Sequence, residues 1–380
     1  MAGPAGDRER FRLGEEDHQR LFETGVVPQV FTGVRPSERP VAIIFGGQPG
    51  SGKSPLLDAA VDELEPRGGA ALIIGDDLRG FHPLYRQLLR TDDKTAAFYT
   101  DLDSGRWVEK AIQFAKAQRL NVIIESTMRD PEVFSRTSKA FREAGYQVEA
   151  RVLAVHERLS WQGVLQRYEA QKAARGSGRM TAPHSHRDAY EGAPKTVERI
   201  EAERLADRLV VVRRGGAVLY ANQLADGQWK QRPRARAALE AERARPMTLD
   251  EHQAYVAGYE RLAAMLAKPQ RQAERDEVAK VQDLRDQARR GRDAHVLLTL
   301  PRASALHLSA ALKTAYDFLD ALAVEISKRG ITLPDAAAGL DLAKAELAQR
   351  IAAGSFVLER PADHDIPRDI SRDNSRDIDR

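Results

Sequence analysis

An apolar run, Val41 to Phe45, empties into a glycine-rich turn that closes on Lys53 and Ser54, and no other segment constrains the chain as much. The pattern Gly47-x-x-x-x-Gly52-Lys53-Ser54 is that of a phosphate-binding P-loop. An unbroken apolar run predicts a strand buried on both faces, as in a parallel sheet, and Lys53 onward reads as the first turn of a helix. Glycine lets the backbone curl until successive N–H groups face a phosphate, and the helix N-terminus adds a positive field. Gly47, Gln48, Pro49, Gly50, Ser51 and Gly52 are therefore expected to cradle a nucleoside triphosphate. Lys53, taken as an exposed loop lysine, is expected to reach its β- and γ-phosphates, and the Ser54 hydroxyl to ligate Mg²⁺. Pro55 is tolerated because the first helical turn has no partner for that N–H.

A P-loop alone does not say what happens to the phosphate. A second apolar run, Ala71 to Ile74, stops at Gly75-Asp76-Asp77-Leu78-Arg79-Gly80-Phe81-His82-Pro83. Carboxylates at the C-terminal end of a strand lie where open α/β sheets bind ligands. A base for an acceptor hydroxyl is needed there, although two acidic residues at a helix start are also ordinary capping. A third run, Asn121 to Ile124, ends in Glu125-Ser126-Thr127-Met128-Arg129. The three strand ends would line one crevice suited to a hydroxyl-rich acceptor that carries its own phosphate, with Arg129 as the counter-charge. Further on, Val164 to Glu169 reads as a helix followed by a basic stretch, Lys172 to Arg179. Arg167 and Arg179 are placed to close over a triphosphate, and a solvated basic loop is the plainer alternative.

The series GGQPGSGKS, GDDLRGFHP, IIESTMR, QRYE and GRMT with His186 beyond it resembles the zeta-toxin family of bacterial toxin–antitoxin systems over roughly residues 40–225. The resemblance implies an ATP-dependent kinase that phosphorylates the sugar 3′-hydroxyl of UDP-N-acetylglucosamine and so starves cell-wall synthesis. It implies Asp76 as general base, Lys53 as the phosphate-stabilising lysine, and Arg167 and Arg179 as lid arginines. It also implies Asp76, Arg79, His82, Glu109, Glu125, Thr127 and Arg129 as contacts to the acceptor, Glu109 by its distance before Glu125 alone. Related P-loop kinases phosphorylate other hydroxyls, so a dinucleotide such as NAD or an antibiotic stands as an alternative acceptor. A non-catalytic NTP-dependent interaction protein is the third reading, and Asp76 argues against it, since a switch needs no base for an external hydroxyl.

The expected fold is α/β, a P-loop NTPase-type parallel sheet flanked by helices, with a C-terminal helical extension. Residues 1–38 read as a polar lead-in with a helix near Glu15–Glu23, and residues 39–245 as the kinase domain. That domain takes in a strand at Val148–Val155 and a hairpin, Arg208–Arg213 with Ala217–Ala221, turned at Gly215-Gly216. Residues 246–358 read as a helical extension. His252, Tyr255, Tyr259 and Leu262 recur there at helical spacing as a packing stripe. One amphipathic helix is expected across Leu306–Ile326, and a second starts at Pro334 and stops before Gly354. Residues 303–353 are either a cis-inhibitory module, standing in for the small antitoxin of the family, or a helical hairpin that stabilises the core. Residues 359–380 form an Arg/Asp repeat with no core-forming face, expected to be disordered.

Of 380 residues, 59 are basic and 56 acidic, a net charge of +3 that gives no footprint for nucleic acid. Cysteine is absent, which excludes disulfides and thiolate metal sites. No apolar stretch suits a bilayer span and residues 1–17 have no signal-peptide core, so a cytoplasmic protein is expected.

Overall fold

The computed structural model describes residues 8–330 and 332–359. Among them the chain falls into two compact units, one running to Pro246 and including Ala264–Gln272, the other comprising Met247–Ala263 and the chain from Ala273.

The first unit opens with α1 (Glu15–Leu21), which continues through a π-helical turn at Phe22–Val26 into α2 (Val27–Phe31). Strand β1 (Val41–Gly46) leads through the glycine-rich loop into α3 (Ser54–Leu64), and β2 (Ala71–Ile74) runs directly into the short α4 (Gly75–Leu78). Helices α5 (Tyr85–Thr91) and α6 (Ala96–Gln118) precede β3 (Val122–Glu125). Then come α7 (Pro131–Glu143), β4 (Gln147–Ala154), α8 (Glu157–Arg175) and α9 (Pro183–Glu203). Strands β5 (Arg208–Arg213), β6 (Val218–Ala225) and β7 (Gln228–Trp229) and helix α10 (Ala235–Ala244) complete the run.

The seven strands form one sheet in the order β2-β3-β1-β4-β5-β6-β7. The first five are parallel, and β6 and β7 add antiparallel strands at one edge. All of β1 is buried, because helices cover both faces. The two-residue period of a strand sends Ala42 and Ile44 into one core with Trp107 of α6, Phe141 of α7 and Ile200 of α9. Val41, Ile43 and Phe45 enter the opposite core with Leu57, Ala60 and Leu64 of α3. With β3, β1 and β2 side by side, the loops after these strands emerge at the same sheet edge, where α/β sheets carry their sites. The β5–β6 hairpin turns at Gly215 and Gly216, both at positive φ (91° and 92°), as two glycines at a tight turn allow. A bulge between Val211 and Val212 adjusts its register, and β6 runs four residues past the expected end at Ala221.

In the second unit, residues from α11 (Leu249–Leu266) join α12 (Arg275–Thr299), α13 (Arg302–Leu308), α14 (Lys313–Lys328) and α15 (Leu333–Ala353). A reciprocal capping box, Glu274 with Glu277, starts α12. Its own core joins Val296 and Leu297 of α12, Ala305 of α13, Ala315 and Tyr316 of α14, and Leu347 and Ile351 of α15. The helix expected across Leu306–Ile326 is two helices, since Ser309 leaves helical geometry (φ −145°, ψ 97°) and a 3₁₀ turn at Ala310–Leu312 re-aims the chain. Pro334 sits in the first turn of α15, and Gly354, at φ 78°, ends it in the left-handed cap expected. Tyr255, Tyr259 and Leu262 are buried, as their spacing implied. The repeat tail beyond Glu359 lies outside the described residues.

Candidate active site

The loop between β1 and α3 holds Gly47, Gly50 and Gly52 at φ of 150°, 75° and 88°. Space is as tight as the backbone is strained. A Cβ on Gly50 would lie 2.0 Å from the Ser160 carbonyl oxygen and 2.6 Å from the Val164 nitrogen, so α8 is backed directly onto the loop. Gln48 is fully buried, and its amide donates to the Val155 carbonyl (2.8 Å) and the Ser160 hydroxyl (3.1 Å). Arg214, from the β5–β6 turn, donates to the carbonyls of Gly50 (2.6 Å) and Ser51 (3.2 Å). The Ser51 hydroxyl is buried and has no hydrogen-bond partner among the described residues. Ser54 opens α3 with its side chain exposed. This donor-rich curl fits a phosphate chain, and the Ser54 hydroxyl fits a ligand for Mg²⁺ beside the phosphates.

Lys53 differs from expectation. It is only 6% exposed, because it folds back over the loop to the carbonyls of Gly47 (2.8 Å) and Gln48 (3.3 Å) and pairs with Glu125 at 3.2 Å. Burial pushes its pKa down, and Glu125 opposes that shift.

Asp76 stands in α4, immediately past β2. Arg79 donates to its Oδ1 at 3.1 Å, and Arg179 pairs with its Oδ2. Burial alone would raise this carboxyl, yet the charges of Arg179, Arg79 and Arg167 together hold it below the ordinary range. Its neighbour Asp77 moves the other way, raised by burial and by the nearby Asp76 and Glu125. The adjacent pair is thus split into one firmly ionised carboxylate and one that is easier to protonate. Arg167, on α8, donates to the Thr181 hydroxyl at 2.9 Å. Burial and the Arg179 charge lower its pKa, against the pull of Asp76 and Glu125. Lys53, Asp76, Glu125, Arg167 and Arg179 therefore share one electrostatic cluster.

The other expected contacts are placed unevenly. Arg79 is nearly buried, with its remaining donors on the Ala97 carbonyl (2.6 Å), Thr100 (3.3 Å) and Asp101 (2.8 Å), so it orients Asp76. His82, expected to contact the acceptor, is 2% exposed, with Nε2 at 2.9 Å from the Phe11 carbonyl and 3.5 Å from Asp103, and it ties the N-terminal segment to α6. Glu109 is exposed on α6, one residue after Val108, which packs against Gly75. Thr127 is half-buried and Arg129 exposed, on a loop fixed by the Ser126 N–H to the Phe45 carbonyl (2.8 Å) and by Thr196 of α9 to the Met128 carbonyl (2.7 Å).

Two groups escaped the sequence reading. Tyr85 feels the charges of Arg179, Arg79, Asp76 and Asp77, and burial raises its hydroxyl pKa. Only its place shortly after the His-Pro pair hinted at it. Asp93 accepts from Tyr168 (2.8 Å) and the Gly178 N–H (3.1 Å) and pairs with Lys172 at 3.1 Å, anchoring the segment that carries Arg179. No local motif marks it.

The sheet order, the glycine-rich loop and the charged strand ends define a P-loop kinase fold. A model of the zeta toxin family matches residues 29–225, and the chain belongs to that family. Toxin PezT of Streptococcus pneumoniae is 31% identical over 156 residues, which cover 41% of this chain and 61% of that protein. Toxin zeta of Enterococcus hirae is 28% identical over 206 residues, covering 53% of this chain and 71% of that one. The chain thus spans about three fifths of PezT's length. A solved structure from the PezAT chromosomal toxin–antitoxin system of S. pneumoniae aligns with a TM-score of 0.57 at 22% identity, covering 67% of this chain and 99% of that one. No helix among the described residues is long and apolar enough to cross a membrane.

Proposed function

We propose that this protein is an ATP-dependent kinase that phosphorylates the sugar 3′-hydroxyl of UDP-N-acetylglucosamine, and that it acts as a toxin on cell-wall precursor supply in the bacterial cytoplasm. One observation carries the reading. An ionised carboxylate, Asp76, stands between arginines at the strand ends that also bear the P-loop lysine, and its charge acts on Lys53 itself. In the step, the acceptor hydroxyl oxygen attacks the γ-phosphorus, its proton passes to Asp76, and ADP leaves. Lys53 and the lid arginines Arg167 and Arg179 balance charge on the transferred group; Ser54 would hold Mg²⁺, which would supply further neutralisation of the phosphates. Glu125, Thr127, Arg129 and Glu109 offer acceptors and a cation for the sugar nucleotide. Restraint falls to an antitoxin supplied in trans or to residues 303–353 acting in cis.

The test is incubation of the full chain with ATP, Mg²⁺ and a panel of UDP-sugars, dinucleotides and aminoglycosides, read by mass spectrometry. Phosphorylated UDP-N-acetylglucosamine, lost in Asp76→Asn by about 10²–10⁴ in rate, is expected. Phosphate appearing only on another acceptor would overturn the substrate assignment and keep the chemistry.

A further inference from the structure

Helix α9 contains Pro194, in mid-helix. Proline has no N–H, so it leaves the carbonyl four residues earlier, that of Tyr190, without its helical partner. Arg243 of α10 supplies the missing donor, its Nη1 lying 2.7 Å from the Tyr190 oxygen. The same guanidinium lies over the Tyr190 ring, 4.0 Å from its centroid. With one edge fixed in this way, Nη2 reaches the Gln48 side-chain oxygen at 3.1 Å, across 195 residues of sequence. Gln48 spends its amide nitrogen on Val155 and Ser160, so both ends of that side chain are held. Its backbone carbonyl accepts from Lys53 and from the Ser51 N–H (3.2 Å), so Gln48 shapes the phosphate loop from within.

We propose that Arg243 is a positioning residue for the phosphate loop, aimed at Gln48 by the carbonyl that Pro194 frees. Arg243 lies past residue 225, where the family match ends. It is 5% exposed and donates no hydrogen bond to a carboxylate among the described residues. A cation buried on these terms is costly for stability alone. Behind a loop built for phosphate, its charge acts with that of Lys53, and the brace spares the loop the entropy of ordering when nucleotide binds. The inference rests on the kinase reading only in taking that loop to hold nucleotide.

The test uses the full chain and two readouts. Amide hydrogen exchange of the peptide spanning residues 46–54, without nucleotide, reports loop order, and titration with ATP and Mg²⁺ reports affinity. Arg243→Lys, which keeps the charge and loses the fork, and Arg243→Met should both speed exchange and weaken ATP binding roughly tenfold. Pro194→Ala separates this from general damage. It restores an N–H to Tyr190 and competes with Arg243, so the melting temperature should hold or rise while ATP binding weakens and exchange quickens. In a Gln48→Ala background, Arg243→Met should add little. Folded Arg243 and Pro194 variants with unchanged loop exchange would overturn the proposal. A wild-type chain that binds no ATP would overturn the kinase reading instead, with loop exchange still deciding the role of Arg243.

Discussion

Arg179 pairs with Asp76, a contact between the loop that follows α8 and the helix that follows β2. The residue expected to neutralise phosphate therefore rests on the residue expected to take the proton. The pairing keeps Asp76 ionised, and drawing Arg179 toward phosphate would raise the carboxyl and make it a better base.

Arg179→Ala should consequently raise the Asp76 pKa, because burial then acts against fewer cations. With the folded pKa depressed, the carboxylate's stabilisation is present above the unfolded value and lost as pH falls through the folded one. In the variant the stabilisation should be smaller and its loss complete at a higher pH. Carbon-13 titration of the Asp carboxyls measures the shift, and an unmoved Asp76 would mean that the pairing does not persist in solution.

Lys53→Ala should abolish phosphotransfer, by at least about 10²–10³. It should also lower stability, contrary to the expectation for an exposed lysine, since Glu125 and two loop carbonyls lose their partner. Adding Glu125→Gln should recover part of the stability and none of the turnover. Thermal melts and ATP consumption check the two halves separately.

Gly192→Ala would ordinarily favour a helix by about 0.5–1 kcal/mol. Here the new Cβ would fall 2.0 Å from the Arg129 carbonyl oxygen, so the change should cost about 1–3 kcal/mol and displace the Thr127–Arg129 loop. Chemical denaturation and KM for the acceptor report the two effects. A stabilised variant with unaltered KM would refute the close approach.

Arg271→Ala should destabilise the first unit by roughly 3–5 kcal/mol. Arg271 makes a two-pronged contact with Glu169 of α8, at 2.7 and 3.0 Å, and both side chains are about nine-tenths buried. A truncation after Ala267 removes this arginine, so a test of residues 303–353 as a cis-inhibitor is better cut after Gln272. Inhibition in cis predicts faster ATP turnover by the shorter chain.

Strand β1 was legible because burial on both faces writes an unbroken apolar run, and β2 and β3 because their runs are equally apolar, although Leu72 and Ile74 of β2 are only partly buried. The charged residues after them were legible because the sheet brings those strand ends together. The burial of His82 was not legible, because a polar residue in a motif looks alike in sequence whether it faces a ligand or a carbonyl of the N-terminal segment. The two-residue β7 is too short for a periodic signal. Arg243 sits in an arginine- and alanine-rich helix like any solvated one, and only its contacts with Tyr190 and Gln48 give it meaning.

The chain leaves the first unit after Pro246, returns for Ala264–Gln272, and departs again. No single nick can release either unit whole, since each of the three junctions has part of the first unit on both sides or cuts the second from its own earlier segment. The order of synthesis is affected as well. Glu169 is made a hundred residues before its counter-charge, so the kinase core cannot finish folding on the ribosome until the first stretch of the second unit has also emerged.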